Sequence, residues 1–352
     1  MARLVLFFYF ASKYYIYIEL YFQYWLQITV YFIKMTNSYL PEMRICGTIL
    51  LKQELKMALN SYNETINTIA NKNLESLENY FESNGIKADI LFYCGEISAQ
   101  YEQKFRHAIE GLASKLSENL HDTLIIILQT YGGSAETTEK FVNIMRKYYK
   151  NVFFIVPNYA MSAGTIWCMS GNKIFMDYSA CLGPIDPQIY SAKEQRMVPA
   201  NGYIDEFDNM IQKSLNGTLS NAEFVLLQNQ DIGFINSCRQ QKELTKNLLL
   251  EWLVKYKFRD WTETRDKHLQ VTDKMKRQRA QEIAQCLADN TKWNIHSRPI
   301  MLHTLQNDIN LIIEDYTDNQ ELKNLIRQYV DFVIQCMAVL GVPQFIHTRE
   351  YM

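Results

Sequence analysis

The sequence predicts an α/β protein in which parallel strands are covered by helices. Three apolar stretches of strand length, Thr123–Gln129, Asn151–Val156 and Lys173–Met176, are separated by stretches with helical patterning. Such alternation is typical of a parallel sheet, because a helix must return the chain before the next strand can run in the same direction. Two loops after these strands carry paired glycines and a helix-opening serine, at the edge where open α/β sheets place their chemistry.

Length and composition allow a sizeable core. The 352 residues are 48% hydrophobic and 21% charged, which is ordinary for a soluble protein of one large domain or two. The formal net charge of −2 creates no field that would recruit nucleic acid. The seven cysteines are odd in number and include no Cys-x-x-Cys pair. We therefore expect neither a disulfide framework nor a zinc site, but buried thiols in a reducing, cytoplasmic compartment.

Residues 1–34 differ from the rest because they are crowded with aromatic and aliphatic side chains. The apolar run is long enough to span a bilayer, but Glu19, Gln23 and Gln27 fall on one helical face. Glu19 in hydrocarbon would cost about 2.5–3.5 kcal/mol. No cleavage site follows a short apolar core, which argues against a signal peptide. Two interpretations remain open: a membrane-associated anchor, or upstream sequence with Met35 as the true start.

Four parts are predicted along the chain. After residues 1–34 come a helical lead-in at 35–85, the α/β core at 86–232 and a helical extension at 233–352. The core begins with the strand Lys87–Tyr93, closed by a glycine. The predicted helices are Ser98–Leu120, Ala135–Lys150, Tyr203–Leu215, Phe234–Phe258, Ala280–Ala288, Met301–Tyr316 and Gln320–Leu340.

Four short motifs follow one another in the core. They are Tyr93-Cys-Gly-Glu-Ile97, Gln129-Thr-Tyr-Gly-Gly-Ser134, Ala160-Met-Ser-Ala-Gly-Thr165 and Leu182-Gly-Pro-Ile-Asp-Pro-Gln188. This ordered set resembles the serine dehydrogenase proteinase family, a signal-peptide-peptidase-A-like group of the ClpP/crotonase superfamily. The resemblance implies a ClpP/crotonase-like core and a serine peptidase that cleaves peptides or unfolded segments. It implies no metal or organic cofactor, and it implies assembly as a homo-oligomer.

Ser162 is the candidate nucleophile. It follows a strand and opens a helix, where unpaired backbone N–H groups and the positive end of the helix dipole can stabilise developing negative charge. Serine also favours this position as a simple helix cap. In the peptidases that the chain resembles, the matching serine attacks the scissile carbonyl. With the other motifs in register, we interpret Ser162 as the nucleophile.

Gly132 and Gly133 are the candidate oxyanion hole. Paired glycines allow backbone conformations that aim amides into a pocket, and acyl transfer needs such donors for the tetrahedral intermediate. The same pair also suits an ordinary tight turn. The resemblance assigns the donor role to Gly133 and extends it to the amide of Met161, beside the serine.

The general base is the open question. No histidine lies a couple of dozen residues beyond Ser162, where ClpP-type enzymes have one, and signal-peptide-peptidase-A-like enzymes use a lysine instead. Lys213 has the better spacing and Lys193 is the alternative, and either would need burial to depress its pKa. Asp186 either orients a partner or caps a turn. His296 lies in a segment similar to a His-Gly-Arg segment of the family, and we interpret it as structural.

Two other functions remain open. A crotonase-type acyl-CoA enzyme would use the same glycine oxyanion hole but would need a CoA pocket and an acid/base carboxylate. A catalytically silent scaffold would need no base. The helix-opening serine favours the peptidase. We therefore predict a serine endopeptidase, and the resemblance implies the Ser-Lys type.

A shortened chain tests the interpretation of the N-terminal segment. Because the composition becomes ordinary from Met35 onward, we expect residues 35–352 to express as a soluble and active protein. Circular dichroism and a peptidase assay beside the full chain measure this. A shortened chain that is unfolded, or inactive where the full chain is active, would contradict the expectation.

Overall fold

The computed structural model describes residues 64–114, 122–264 and 268–351. The expectations for residues 1–34 therefore lie outside the described part of the chain, as does the predicted helical lead-in before residue 64. Within the described part, no helix combines the length and the apolar character that crossing a membrane requires.

The chain divides into two compact units. One comprises residues 1–69 and 338–341, and its described positions are the start of one helix, the end of another and the turn residue that follows it. The other comprises residues 70–337 and 342–352 and contains all the sheets of the described residues.

Strands and helices alternate through most of the larger unit. In the described residues the strands are β1 Ala88–Cys94, β2 Thr123–Gln129, β3 Asn151–Val156, β4 Tyr159–Ala160, β5 Lys173–Met176, β6 Cys181–Leu182, β7 Gln188–Ser191, β8 Arg196–Pro199, β9 Ile300–Met301, β10 Glu314–Asp315 and β11 Phe345–His347. The helices are α1 at 64–83, α2 Glu102–Ser114, α3 Ala135–Tyr148, α4 Ala163–Met169, α5 Ala200–Leu215, α6 Asn221–Gln228, α7 Ile232–Trp252, α8 Asp273–Leu287, α9 Asn290–Trp293, α10 Leu302–Asn307 and α11 Gln320–Leu340.

The central sheet has six strands in the order β10-β5-β3-β2-β1-β11. All neighbouring pairs are parallel except β1 and β11. The predicted α/β class with parallel strands is confirmed, and so are the bounds of β2, β3 and β5. The segment 233–352, predicted as a helical extension, also supplies both edge strands of this sheet, β10 and β11.

Helices cover both faces of the central sheet because its strands are apolar on both sides. Leu124, Ile126 and Leu128 of β2 belong to the core on one face, together with buried side chains of α2, α3 and α4. Ile125 and Ile127 belong to the core on the other face, with buried side chains of α1 and α11. Alternate residues of one strand thus serve two cores, as expected for a parallel sheet between helical layers.

An aromatic cluster holds α4 against the sheet. Trp167 of α4 is fully buried, and its ring centroid lies 5.1–5.8 Å from those of Tyr93, Phe105, Phe141 and Phe154. Edge-to-face pairs at such distances add about 0.5–1.5 kcal/mol each to the burial itself. The helix that follows the candidate nucleophile is therefore packed rigidly from behind.

The predicted helix Met301–Tyr316 is wrong beyond its first turns. The structure has a short helix, α10, and then an extended segment that ends in β10. Apolar residues at helical spacing suggested one long helix, but Asn310 has a φ of 53°, which breaks the helical path. Leu311 and Ile313 are buried in the core, and β10 then pairs with β5. Pairing of this segment with the edge of the sheet therefore determined its conformation, although the spacing of its apolar residues is helical.

The imidazole of His347 is buried in β11 without an ion pair among the described residues. Its Nδ1 accepts the Tyr329 hydroxyl at 2.6 Å, and its Nε2 donates to Asn71 Oδ1 at 3.1 Å. Burial lowers the pKa of His347 to about 4. The ring is therefore neutral in the folded protein at pH values where an unfolded chain would already protonate it.

Mild acid should destabilise the protein through His347. As pH falls from about 6.5 to about 4, the unfolded chain gains a proton that the folded chain does not bind, so about 3 kcal/mol of stability is lost. We expect the drop in unfolding free energy between about pH 7.5 and about pH 5, measured with urea, to be smaller in His347→Gln than in wild type. His303→Gln removes an exposed histidine and should keep the wild-type drop; equal drops in all three proteins would refute the role of His347.

Candidate active site

A small second sheet, β4-β6-β9, brings three segments to one edge. β4 runs parallel to β6, and β9 runs antiparallel to β6 with Leu182 opposite Ile300. Residues after β4 and β6, and residues before β9, therefore leave the sheet at the same edge. Ser162 lies two residues beyond β4, Asp186 four beyond β6 and His296 four before β9.

A cavity of about 900 Å³ opens at this edge. Ser162, Gly132, Gly133 and His296 all contribute to its wall, together with residues of β7 and the start of α3. Ile166 and other apolar side chains line it behind the serine. The cavity is therefore large enough for a peptide side chain, and polar groups contribute to its wall.

Ser162 occupies a strained turn between β4 and α4. Its φ is 51° and its ψ is −117°, a conformation that non-glycine residues rarely adopt. Its side chain makes no capping hydrogen bond to α4, so the helix-cap alternative does not describe this residue. A sharp strand-to-helix turn that presents a serine hydroxyl is the geometry of a nucleophile elbow.

The glycine turn leaves one amide directed away from its own neighbours. Ile97 donates its N–H to Gly132 O at 2.8 Å and accepts the N–H of Ser134 at 2.8 Å. In this parallel bridge the amide of Gly133 points to the opposite side. The amide of Gly132 donates to Thr130 Oγ1 at 2.9 Å. Of the two glycine amides, Gly133 is therefore the one available to a ligand.

The second expected donor, Met161, is engaged elsewhere. Its N–H donates to Thr130 O at 2.9 Å, so the amide pairs β4 with the end of β2. Within the described residues, the amide of Ala163, the first residue of α4, donates to no acceptor. The residue after the nucleophile commonly supplies an oxyanion donor, and Ala163 fits that position.

A glycine is required at position 132 by the approach of the serine turn. A Cβ on Gly132 would lie 2.8 Å from Ser162 Cβ and 2.9 Å from Met161 O. Its φ of 111° also disfavours any side chain. The turn and the nucleophile therefore fit together only because this residue has no side chain.

The structure places neither candidate lysine in the wall of the cavity that Ser162 lines. Lys213 donates to Glu223 Oε1 at 2.6 Å, and this hydrogen bond raises the pKa of Lys213, whereas a base needs it lowered. Lys193 is exposed in the turn between β7 and β8. Neither lysine lines the cavity. Burial does lower the pKa of Lys257 to about 8, but this lysine does not line the cavity either.

Asp186 and His296 form a pair that the sequence did not predict. The imidazole Nδ1 of His296 lies 2.7 Å from Asp186 Oδ1, and Asp186 Oδ2 accepts Gln188 Nε2 at 2.9 Å. Asp186 was expected either to orient a partner or to cap a turn, and in the structure its carboxylate contacts the His296 imidazole. The residues are 110 positions apart, and the antiparallel pairing of β9 with β6 brings their segments together.

Glu136 is a second titratable group in the cavity wall. Burial by itself would raise the pKa of this carboxyl, but hydrogen bonds from Gln241, from its own backbone and from Ser134 lower it. Its two oxygens accept Gln241 Nε2 at 2.6 Å and the Ser134 hydroxyl at 2.8 Å. Both oxygens of the Glu136 carboxylate therefore already accept hydrogen bonds from neighbouring side chains.

Removing one hydroxyl should loosen the glycine turn. In Thr130→Val the buried Gly132 amide loses its acceptor, which costs about 1–3 kcal/mol. We expect a lower free energy of unfolding in urea by that amount. Thr130→Ser keeps the hydroxyl and should lie closer to wild type; equal loss in both variants would assign the effect to packing rather than to the hydrogen bond.

Residues 116–209 match a family model described as ClpP-like SDH-type serine proteinase. The matched segment contains β2, the glycine turn, Ser162 and Asp186. Two uncharacterized proteins of Methanocaldococcus jannaschii, MJ1495 and MJ0137, are 36% and 38% identical over 64 residues. These residues are 18% of this chain and 22% of either relative, so the chain spans about a fifth of the length of the curated relatives it matches.

Among solved structures, the chain is similar to the 1510-N membrane-bound stomatin-specific protease. A lysine-to-alanine mutant of that protein in complex with a substrate peptide aligns at 21% identity and a TM-score of 0.28, covering 36% of this chain and 60% of the other. A serine-to-alanine mutant aligns at 19% identity and a TM-score of 0.28, covering 36% and 63%. The family model therefore confirms, over residues 116–209, the resemblance to the serine dehydrogenase proteinase family that the motifs indicated.

Proposed function

We propose that this protein is a serine peptidase that cleaves peptides or unfolded segments at Ser162. One observation carries the proposal: a serine in a strained strand-to-helix turn lines a cavity beside a glycine whose amide is directed away from its own bridge. Backbone strain of this kind persists where the surroundings enforce it, and it clusters at functional sites. The cluster combines a nucleophile with donors for an oxyanion, which acyl transfer requires.

Two backbone amides would stabilise the tetrahedral intermediate. The amide of Gly133 points away from Ile97, and the amide of Ala163 lies at the start of α4. Attack by Ser162 Oγ on a peptide carbonyl moves an electron pair onto the carbonyl oxygen, where such donors are worth about 10²–10³ in rate. This assignment keeps Gly133 from the sequence prediction and replaces Met161 by Ala163.

An extended peptide suits the backbone around Gly133. The bridge with Ile97 uses one side of this turn, so the Gly133 N–H and C=O are directed to the other side. A substrate strand can pair with such groups by main-chain hydrogen bonds, while its side chains enter pockets. The apolar wall near Ile166 and Ile185 would accept the side chain next to the scissile bond.

The Ser-Lys form of the mechanism receives no support from the positions of the lysines. Lys213 would have to leave Glu223, and Lys193 would have to move from a hairpin turn. The proposed function therefore rests on the nucleophile and the oxyanion donors, and the base has to be sought among the groups that line the cavity.

A fluorophosphonate probe tests the nucleophile. We expect the full chain to be labelled as Ser162 Oγ attacks phosphorus and fluoride leaves, and Ser162→Ala to take no label. Ser98→Ala removes another serine of the cavity wall that makes no capping hydrogen bond and should be labelled like wild type. Peptide mapping by mass spectrometry locates the adduct. Folded wild-type protein that takes no label would overturn the proposed function.

A further inference from the structure

We propose that a second cavity, beside the rings of Tyr131 and Tyr159, is a subsite for a lysine or arginine side chain of the substrate. The inference rests on the proposed function, since a subsite has a role only if peptides are cleaved at Ser162. It adds a substrate class to that function: peptides that carry a basic residue a few positions from the cleaved bond.

The second cavity has a volume of about 340 Å³ and lies where β1 and β2 end. Ile334 and Met337 of α11 contribute apolar side chains to its wall, and Tyr131 and Tyr159 contribute aromatic rings. Among the described lining residues, Glu96 supplies the one carboxylate. The cavity therefore combines an apolar surface, an aromatic surface and a negative charge around a space large enough for one long side chain.

Tyr131 connects this cavity to the one that Ser162 lines. Tyr131 and Glu96 both belong to the walls of the two cavities. The residue after Tyr131, Gly132, approaches the nucleophile so closely that a Cβ there would lie 2.8 Å from Ser162 Cβ. Each residue of an extended chain spans about 3.3–3.6 Å, so a peptide bound at Ser162 reaches past Tyr131 within a few residues.

Stacking holds the ring of Tyr131 in place. Its centroid lies 4.3 Å from that of Tyr159, with 26° between the ring planes. The Tyr159 hydroxyl accepts Gln129 Nε2 at 3.5 Å, and Gln129 Oε1 in turn accepts Asn158 Nδ2 at 2.7 Å. Tyr131 is nevertheless 78% exposed, so Tyr159 covers one face of its ring and leaves the other open. An open aromatic face attracts a cation through its negative π surface.

Glu96 places an unpaired carboxylate between the two cavities. The residue is exposed, and within the described part of the chain its carboxylate takes part in no hydrogen bond or ion pair. Glu136, the other carboxylate in the wall of the first cavity, already accepts hydrogen bonds on both oxygens. No lysine or arginine of the described residues lines either cavity. A basic side chain of a ligand would therefore supply the charge that the described walls lack.

A lysine or arginine side chain matches all three surfaces of the cavity. Its methylene stem can pack on Ile334 and Met337 while its charged end reaches Glu96. A guanidinium can also stack on the open face of Tyr131. Aspartate or glutamate at the same place would face the like charge of Glu96, and an uncharged aliphatic side chain would gain only the apolar contacts. The preference for a basic side chain therefore comes from Tyr131 and Glu96 together.

Matched peptides measure this preference. The full chain is given synthetic peptides in which lysine, or the uncharged norleucine that lacks its ammonium group, occupies each position in turn, and mass spectrometry locates the cleaved bonds. We expect lysine at one fixed position from the cleaved bond to give a kcat/KM about 3–30-fold above that of norleucine. A merely structural change would lower both values and leave their ratio unchanged.

Variants of the two residues should change that ratio. Glu96→Gln and Tyr131→Ala should each bring the lysine-to-norleucine ratio closer to one, and Tyr131→Phe, which keeps the ring, should retain it. Glu96→Lys should reverse the charge preference, so that a peptide with glutamate at that position is cleaved faster than the lysine peptide. Glu321→Gln removes an exposed carboxylate that lines neither cavity and should keep the wild-type ratio. Circular dichroism establishes that each variant is folded; if Tyr131→Ala is not, Tyr131→Leu takes its place.

The outcomes separate the subsite from the nucleophile. Wild type that takes no fluorophosphonate label defeats the proposed function and the subsite with it. Labelled wild type with equal rates for lysine and norleucine at every position overturns the subsite alone, and so does a lysine preference that survives in both Glu96→Gln and Tyr131→Ala. If labelled protein cleaves none of the peptides, their affinities for Ser162→Ala, measured by fluorescence anisotropy, replace the rates, and equal affinities overturn the subsite in the same way.

Discussion

The pairing of Thr130 with β4 is the constraint on which the candidate site depends. Its N–H donates to Tyr159 O at 3.1 Å, its C=O accepts the Met161 amide at 2.9 Å, and its hydroxyl accepts the Gly132 amide at 2.9 Å. One buried residue thus joins the end of β2, the glycine turn and the strand that leads into Ser162. Because buried polar groups are costly when unpaired, these three bonds hold the two loops in one relative position.

The strain of the site is supported by packing behind it. Ser162 adopts a rare backbone conformation, which costs of order 1–3 kcal/mol and persists only where the surroundings enforce it. All seven residues of α4 are buried, and Trp167 lies in a cluster of four other aromatic rings. Thr165 ties the same helix to β4 and to the residue after β6, because its Oγ1 lies 2.8 Å from Ala160 O and accepts the Gly183 amide at 2.9 Å. A helix held so firmly cannot relax the turn in front of it.

The hydrophobic pattern of short segments correctly predicted those strands whose environment agrees with their local sequence. The apolar runs of β2 and β3 are buried in the sheet almost throughout, and alternate residues of β5 are buried, so propensity and environment agree. Where a tertiary contact competed with local pattern, the prediction was wrong: the residues after α10 have helical spacing but lead into β10, which pairs with β5. The amide of Met161 was likewise expected to face a ligand, and it is bonded to Thr130, because β4 pairs with the end of β2.

The sequence by itself determined the α/β class, the positions of the core strands along the chain and the location of Ser162 and the glycine pair just after strands. These features depend on residues within one strand, turn or helix, so the periodicity and turn chemistry of a short segment are sufficient. Only the tertiary structure decided which backbone amides are directed to the cavity. It also decided that Lys213 pairs with Glu223 and that the His296 imidazole contacts the Asp186 carboxylate. Each of these depends on strand register and on pairing between distant segments, and spacing along the chain does not encode which edge strand a distant segment will join.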